Sequence, residues 1–543
     1  MVDSSSRTSG GGALVQALVE HDVDTVFAIP GVQLDHLFNA FYDARDRIRV
    51  VHCRHEQAAG YMAFGYAAAT GRPGVCVVVP GPGLLNASAA LATAYARCTP
   101  VLCVVGQIPS WAIGRDLGML HELPDQLAVA RGVTKWAVRI EDLAETPTLV
   151  GQAFREMHSG RPGPVEIEMA MDIMAGEAKV PTAVITEPTA PAEPNPKTIA
   201  AAADLLAAAV APLIVVGGGA LEASAPLRRI AEHLHAPVVG SRSGRGVLSG
   251  RHELAINHVV AHRLWASTDV VLAAGTRFAL AQQWGTDDEL AVVRVDTDSS
   301  RTAAPQLGIT GDAVVVLEAL ANALAERVPG PPKRAAEVAA IKAEVATELA
   351  TLEPQQSYIR VLREALPDDG IFVEELTQIG YVARMTYPVY QPRTYITPGY
   401  QGTLGFGYPT ALGAKVAFPQ RRVLSISGDG GFMYNVGELA SAARHGIAVV
   451  AVVFTDGAFG NVKRMQQNLY DGRVIATDLH NPNFVELARS FGIAGYRAES
   501  PEALARTLER AFDNDAPALI EVPLGEVPDP WGWILLPRVR STG

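Results

Sequence analysis

The feature that most narrows the folds open to this chain is a recurrence. Short apolar runs rich in Val and Ile, too short for buried helices, alternate with stretches of helical spacing. From Ala13 onward the runs fall at residues 26–29, 50–53, 75–79 and 101–105, with a further one at 165–169. Such alternation predicts parallel strands joined by helical crossovers. A stretch over 180–197 containing Pro181, Pro188, Pro191, Pro194 and Pro196 reads as a linker. A second unit begins with Leu213-Ile214-Val215-Val216 running into Gly217-Gly218-Gly219, continues through 270–272 and 292–295, and fades near Val328-Pro329-Gly330-Pro331-Pro332. A third, from about Pro354, carries strand-like runs at 422–427 and 449–454. The expected fold is therefore α/β: three tandem doubly wound parallel-sheet domains over residues 1–178, 195–328 and 354–543.

Composition removes several function classes. A hydrophobic share of 48% against 19% charged residues supplies large cores and excludes a mainly disordered chain. The net charge of −12 offers no footprint for nucleic acid or an anionic membrane. Cys53, Cys76, Cys98 and Cys103 form no metal or disulfide pattern, so buried thiols in a reducing compartment are expected. Residues 1–12 are Ser- and Gly-rich, and no long uninterrupted apolar segment follows, so the expectation is a cytoplasmic protein with no membrane span.

The most informative segment is Gly428-Asp429-Gly430-Gly431, between a predicted strand and a predicted helix whose apolar face would carry Met433, Val436, Leu439 and Ala443. Glycines at a helix start let backbone approach a ligand, free amides there favour phosphate, and an Asp beside them can hold a divalent cation bridging to it. Taken alone, such a segment is more often just a turn. The next strand, however, ends at Thr455-Asp456-Gly457-Ala458-Phe459, placing a second oxygen donor at the neighbouring strand's carboxyl end. Two such loops can supply the oxygen shell that magnesium keeps.

With these loops the sequence resembles the thiamine-diphosphate enzymes of the acetolactate synthase, pyruvate oxidase and benzoylformate decarboxylase group. The resemblance spans nearly the whole chain, is nearest in order and spacing to acetolactate synthase large subunits, and is carried in order by Pro30-Gly31, Arg54-His55-Glu56-Gln57, Gly81-Pro82-Gly83, Gly106-Gln107, residues 161–165, Gly402-Thr403-Leu404-Gly405-Phe406-Gly407 and Gly428-Asp429-Gly430. It implies thiamine diphosphate held through magnesium, and a pyrimidine-binding, a central and a diphosphate-binding domain in that order. Glu56 would hydrogen-bond the aminopyrimidine ring and promote proton exchange at the thiazolium carbon, its pKa raised by burial. A plainer reading of Glu56 is a helix-start acid satisfied by amides and Arg54. Gly402 would accept from the cofactor's amino group and Leu404 would wedge beneath the cofactor, although Leu404 equally suits ordinary core. Asp429, Asp456 and the Ala458 carbonyl would bind the metal, with Gly31, Gly81, Gly428, Gly430, Gly431 and Phe459 also touching the cofactor. The family's cofactor lies between two subunits, so a homodimer or homotetramer is implied, with Glu56 and Asp429 of one chain serving different cofactors.

Departures from the family pattern concern the substrate. Thr455-Asp456 replaces an Asn pair, adding negative charge beside the diphosphate. Arg277-Phe278-Ala279-Leu280-Ala281 stands where acetolactate synthases carry a second Arg that anchors an acceptor carboxylate, and Met465 stands in place of a Trp. Leu120-His121-Glu122 offers His121 as a proton relay, against a surface role. Gly217-Gly218-Gly219 and Gly275-Thr276-Arg277 are compatible with a flavin (FAD) or another adenine nucleotide, which is left unassigned. The expected activity is decarboxylation of a 2-oxo acid with carboligation, the alternatives being a simple decarboxylase or carbon–carbon lyase and a non-catalytic homologue.

Overall fold

The computed structural model describes residues 7–181, 193–303, 307–328 and 334–541. Pro188 and Pro191 of the expected linker, and residues 329–332, lie outside these. The linker reading fails at its far end: Pro196 is the first residue of the helix Pro196–Ala208, whose start is capped by the Asn195 side chain on Lys197 N at 2.9 Å. Proline is tolerated there because the first amide of a helix has no partner to lose.

Three six-stranded sheets, parallel throughout, follow one another along the chain. The first runs, edge to edge, Arg49–His52, Thr25–Ala28, Gly74–Val78, Val101–Gln107, Val165–Ala170, Trp136–Ile140. The third runs Tyr395–Ile396, Ile371–Glu374, Val423–Gly428, Val450–Thr455, Ala518–Pro523, Ala494–Arg497. Numbered by their own strands, both read 2-1-3-4-6-5, whereas the central sheet reads 3-2-1-4-5-6. The central order is that of dinucleotide-binding folds; the other two reverse direction between their first and third strands. The Gly-rich start is structured as well, since the helix Gly10–Glu20 begins within it and Arg7–Ser9 pairs antiparallel with Glu177–Lys179.

The first and third domains share a core. The helix Glu56–Thr70 is small or apolar on nearly every side and crosses the helix Gly407–Ala417 so closely that a Cβ on Gly65 would lie 2.0 Å from Thr410 O and one on Gly413 1.9 Å from Met62 O. Phe64, Tyr61 and Phe406 pack edge to face around that crossing. The core on the other side of the third sheet takes in Val338, Val345 and Leu349 of the helix Ala335–Leu349, ahead of Pro354. Cys53, Cys76 and Cys103 are buried and Cys98 half-buried, all as free thiols. Among the described residues no helix is long and apolar enough to cross a membrane.

Candidate active site

In the third sheet the reversal falls between Ile371–Glu374 and Val423–Gly428, so a crevice opens beyond their carboxyl ends. Helices start around it at Gln378, Asp429 and Gly460, and their first amides, unpaired within the helix, point to an anion there. Asp429 is buried, its Oδ1 accepting from Gly430 N and its Oδ2 from Gly457 N and Asn481 Nδ2, each at 2.8 Å. Asp456 opens to the crevice and accepts from Ala458 N at 3.2 Å. Loss of water on its protein side, and then the charge of Asp429, push its carboxyl up to about 6. The Phe459 ring lies over Gly430, where a Cβ would stand 2.6 Å from Phe459 Cε1. Asp429, Asp456, Ala458, Phe459, Gly428, Gly430 and Gly431 thus form one cluster.

The expected amphipathic helix after this loop is corrected. Asp429–Phe432 continues as a 3₁₀ segment, Met433–Glu438, with Asn435 out of helical geometry, before Leu439–His445. Met433 and Ala443 are consequently exposed; of the expected face Val436 and Leu439 pack on the core, joined there by Phe432 and Ala442. Asn435 leaves the helix to donate to Gly405 O at 2.7 Å and Gln57 Oε1 at 2.9 Å.

One buried carboxylate that sequence reasoning missed joins two of the loops expected to hold the cofactor. Glu375 accepts from Gly405 N at 2.7 Å, Gly407 N at 3.0 Å and Ser427 Oγ at 2.7 Å, so the loop carrying Gly402 and Leu404 is tied to the strand end before Gly428. Burial pushes its carboxyl up to about 7 against these bonds. Gly402 adopts a left-handed φ of +59°, and Leu404 is half-buried at the loop rather than sealed in the core. The pair Glu374-Glu375 closing an apolar run was the available signal; Asn481 and Gln378 had none. The Gln378 side-chain oxygen is buried without a hydrogen-bond partner, as in a site completed by a ligand.

The first sheet reverses at the matching place, between Thr25–Ala28 and Gly74–Val78, and Gly31 and Gly81 follow those two strands. Gly81 N donates to Gln126 Oε1 at 2.9 Å, and Gln126 Nε2 donates to the buried Glu168 at 2.7 Å. His121 arches over this turn, so that a Cβ on Gly81 would sit 2.5 Å from its carbonyl, while its Nδ1 meets Gln33 Oε1 at 3.1 Å. Glu56 opens its helix behind the His55 cap, and Asn86 Nδ2 donates to Glu56 Oε2 at 3.0 Å. Two expectations are corrected here. Glu56 is half-buried in the single chain, at a helix start that faces outward, and its carboxylate is held by Asn86 rather than Arg54. Among the described residues Glu56 and Asp429 have no hydrogen-bond partner in common.

The acids fit a cation that retains water and phosphate ligands. Among the described residues no three His, Cys, Asp or Glu side chains stand together as a metal site, so Asp429 and Asp456 would share the ion with a main-chain carbonyl and the diphosphate. In the central domain a Cβ on Gly217 would lie 2.2 Å from Gly275 O and one on Gly219 3.0 Å from Gly275 Cα. Those glycines are explained by backbone packing, without a nucleotide.

Models of three thiamine pyrophosphate enzyme domains match the chain in order: the N-terminal TPP-binding domain over residues 8–129, the central domain over 199–320 and the C-terminal TPP-binding domain over 377–522. The chain is 34% identical to a probable 2-ketoarginine decarboxylase of Pseudomonas aeruginosa, covering 95% of this chain and 94% of that protein. It is 32% identical to a probable acetolactate synthase large subunit of Methanocaldococcus jannaschii, covering 94% and 91%. It is 31% identical to acetolactate synthase isozyme 3 large subunit of Escherichia coli, covering 93% and 92%. The chain belongs to the thiamine-pyrophosphate-dependent enzymes, among the carboligases and decarboxylases of that family.

Proposed function

We propose that the protein decarboxylates a 2-oxo acid with thiamine diphosphate and magnesium, releasing an aldehyde. The observation that carries the reading is the crevice at the reversal of the third sheet, where Asp429 and Asp456 stand among helix starts and Glu375 fixes the adjoining loop. Asp429, Asp456 and the Ala458 carbonyl would hold the ion, Gly402 and Leu404 the two rings. Bound there, thiamine diphosphate would supply a nucleophilic thiazolium carbon for the 2-oxo carbonyl and a sink for the electron pair freed by loss of carbon dioxide. Glu56, oriented by Asn86, exchanges a proton with the pyrimidine ring of a cofactor held by a second copy of the chain. His121, fixed through Nδ1 by Gln33, is the proton relay of this reading: as the imidazolium it gives its Nε2 proton to the product carbon and is reprotonated from water.

Aldehyde release is favoured over carboligation by the position matched to the acceptor anchor: Ala281 packs against the cluster of Trp265, Phe278 and Trp284 and offers no cation. Carboligation is the second reading, supported by the acetolactate synthase relatives. Flavin enters no step.

Purified protein with thiamine diphosphate and magnesium is incubated with a panel of 2-oxo acids that includes pyruvate and 2-ketoarginine, with and without an aldehyde acceptor. Products are resolved by mass, with Glu56→Gln as control. Aldehyde formed only by the wild type supports the proposal; an acyloin or acetohydroxy acid moves the assignment to carboligation. Failure to bind the cofactor overturns the site.

A further inference from the structure

The 3₁₀ segment Met433–Glu438 grows directly out of the Asp429 loop, yet its polar side chains face another part of the chain. Glu438 is fully buried, and its carboxylate accepts from Arg54 N at 3.0 Å, from His55 N at 3.0 Å and from Ser441 Oγ at 2.5 Å. Asn435, three residues earlier, reaches Gln57 Oε1. Residues immediately before and after Glu56 are therefore gripped by one short element of the third domain, while nothing in that grip touches the Glu56 carboxylate itself. Gly437, immediately before Glu438, lies against the same turn, so that a Cβ there would stand 3.6 Å from Arg54 Cβ.

Burying a carboxylate is costly unless its acceptor sites are filled. Here they are filled by main-chain amides for which the described residues offer no other partner, since the amides of Arg54 and His55 precede the helix and lie beyond the strand Arg49–His52. The geometry fixes where the helix Glu56–Thr70 starts, and with it the direction in which Glu56 leaves the backbone.

We propose that Glu438, assisted by Asn435, is a positioning residue for Glu56: it holds the Arg54-His55 turn so that the Glu56 carboxylate meets the cofactor's pyrimidine ring in one orientation. The inference rests on the role of Glu56 proposed above. It assigns a function in proton exchange to a residue that touches neither cofactor nor substrate.

Two measurements test it. In the cofactor-free protein, hydrogen–deuterium exchange of the peptide containing Arg54 and His55 reads the clamp directly. In the loaded protein, exchange of the thiazolium C2 proton is followed by rapid quench and NMR, beside the Kd for thiamine diphosphate and the KM for substrate. Glu438→Ala is expected to speed amide exchange at residues 54–55 and to slow C2 exchange and kcat together, by about 10- to 100-fold. Kd and KM should stay within about 3-fold of wild type, because no binding group is lost. Glu438→Gln, which keeps one acceptor oxygen for the amides, is expected to recover most of the C2 exchange rate. Unchanged C2 exchange in Glu438→Ala, or Kd and KM rising as far as kcat falls, overturns the positioning role. Should Glu438→Ala not fold, Glu438→Asp, one methylene short of the amides, is read by the same criteria. Glu56→Gln separates the two readings: if it leaves C2 exchange unchanged, the role of Glu56 fails, whereas slow exchange in Glu56→Gln beside normal exchange in Glu438→Ala sinks only the inference about Glu438.

Discussion

At the scale of single residues, the acids divide into those whose position was written locally and those placed by distant contacts. Asp429 and Asp456 were legible because each ends an apolar strand run next to glycine, a pattern contained within a few residues. Glu375 was not, because its partners Gly405, Gly407 and Ser427 lie 30 to 52 residues away in sequence. Its replacement should show both sides of its role. Glu375→Gln keeps the shape but leaves one oxygen to satisfy two amides and a hydroxyl, so the Kd for thiamine diphosphate, measured by fluorescence titration with magnesium, should rise about 10- to 100-fold. The same variant should alter the pH dependence of stability. Burial lifts Glu375 from 4.5 to about 7, so the folded chain binds this proton more tightly than the unfolded one. Its contribution is complete below about 4.5 and is lost as pH rises through about 7, a change of on the order of 3 kcal/mol. The urea midpoint of the wild type should accordingly fall between pH 5 and 8 more steeply than that of Glu375→Gln. Equal slopes would show that Glu375 titrates normally.

At the scale of elements, the sequence showed which helix would be buried but not against what. The stretch after Glu56 is Ala- and Gly-rich on all sides, which predicts burial, and the helix Glu56–Thr70 is indeed enclosed. Its partner, Gly407–Ala417, lies some 340 residues further on, and only the structure shows that Gly65 and Gly413 exist to let two backbones touch. The misread helix after Asp429 failed for a related reason: its periodicity is broken by the long-range bonds of Asn435, which no local pattern encodes. Gly413→Ala would drive a methyl into Met62 O, where neither helix can yield without separating, so thermal unfolding should move down by several degrees, an overpacking cost of about 1–3 kcal/mol or more. Gly132→Ala provides the contrast. Gly132 sits in the helix Gln126–Val133 with nothing within 4 Å of a built Cβ, and the change should be neutral or stabilising by up to about 1 kcal/mol. Differential scanning calorimetry of the two variants decides whether backbone contact, rather than glycine content, makes the crossing.

At the scale of the whole molecule, the 2-1-3-4-6-5 order of the first and third sheets means that each end of the chain offers a crevice at the same place in its topology. One crevice carries Gly31, Gly81 and His121 with Glu56 nearby, the other Asp429 and Asp456, and each group is held by its own contacts. On the proposal that Glu56 serves a cofactor held by a second copy, a complete site would join the first crevice of one copy to the third-domain crevice of another, and two-fold symmetry would then yield two equal sites. The consequence is testable without a structure of the assembly. Glu56→Gln and Asp429→Ala homodimers should each be inactive. When the two are mixed, dissociated and reassembled, half of the dimers will be mixed, and in each of these one site combines Glu56 from one chain with Asp429 from the other while the second site carries both lesions. Activity should therefore return to about a quarter of the wild-type value per chain. If Glu56 and Asp429 served a cofactor within one chain, every site in the mixture would keep a lesion and no activity would return.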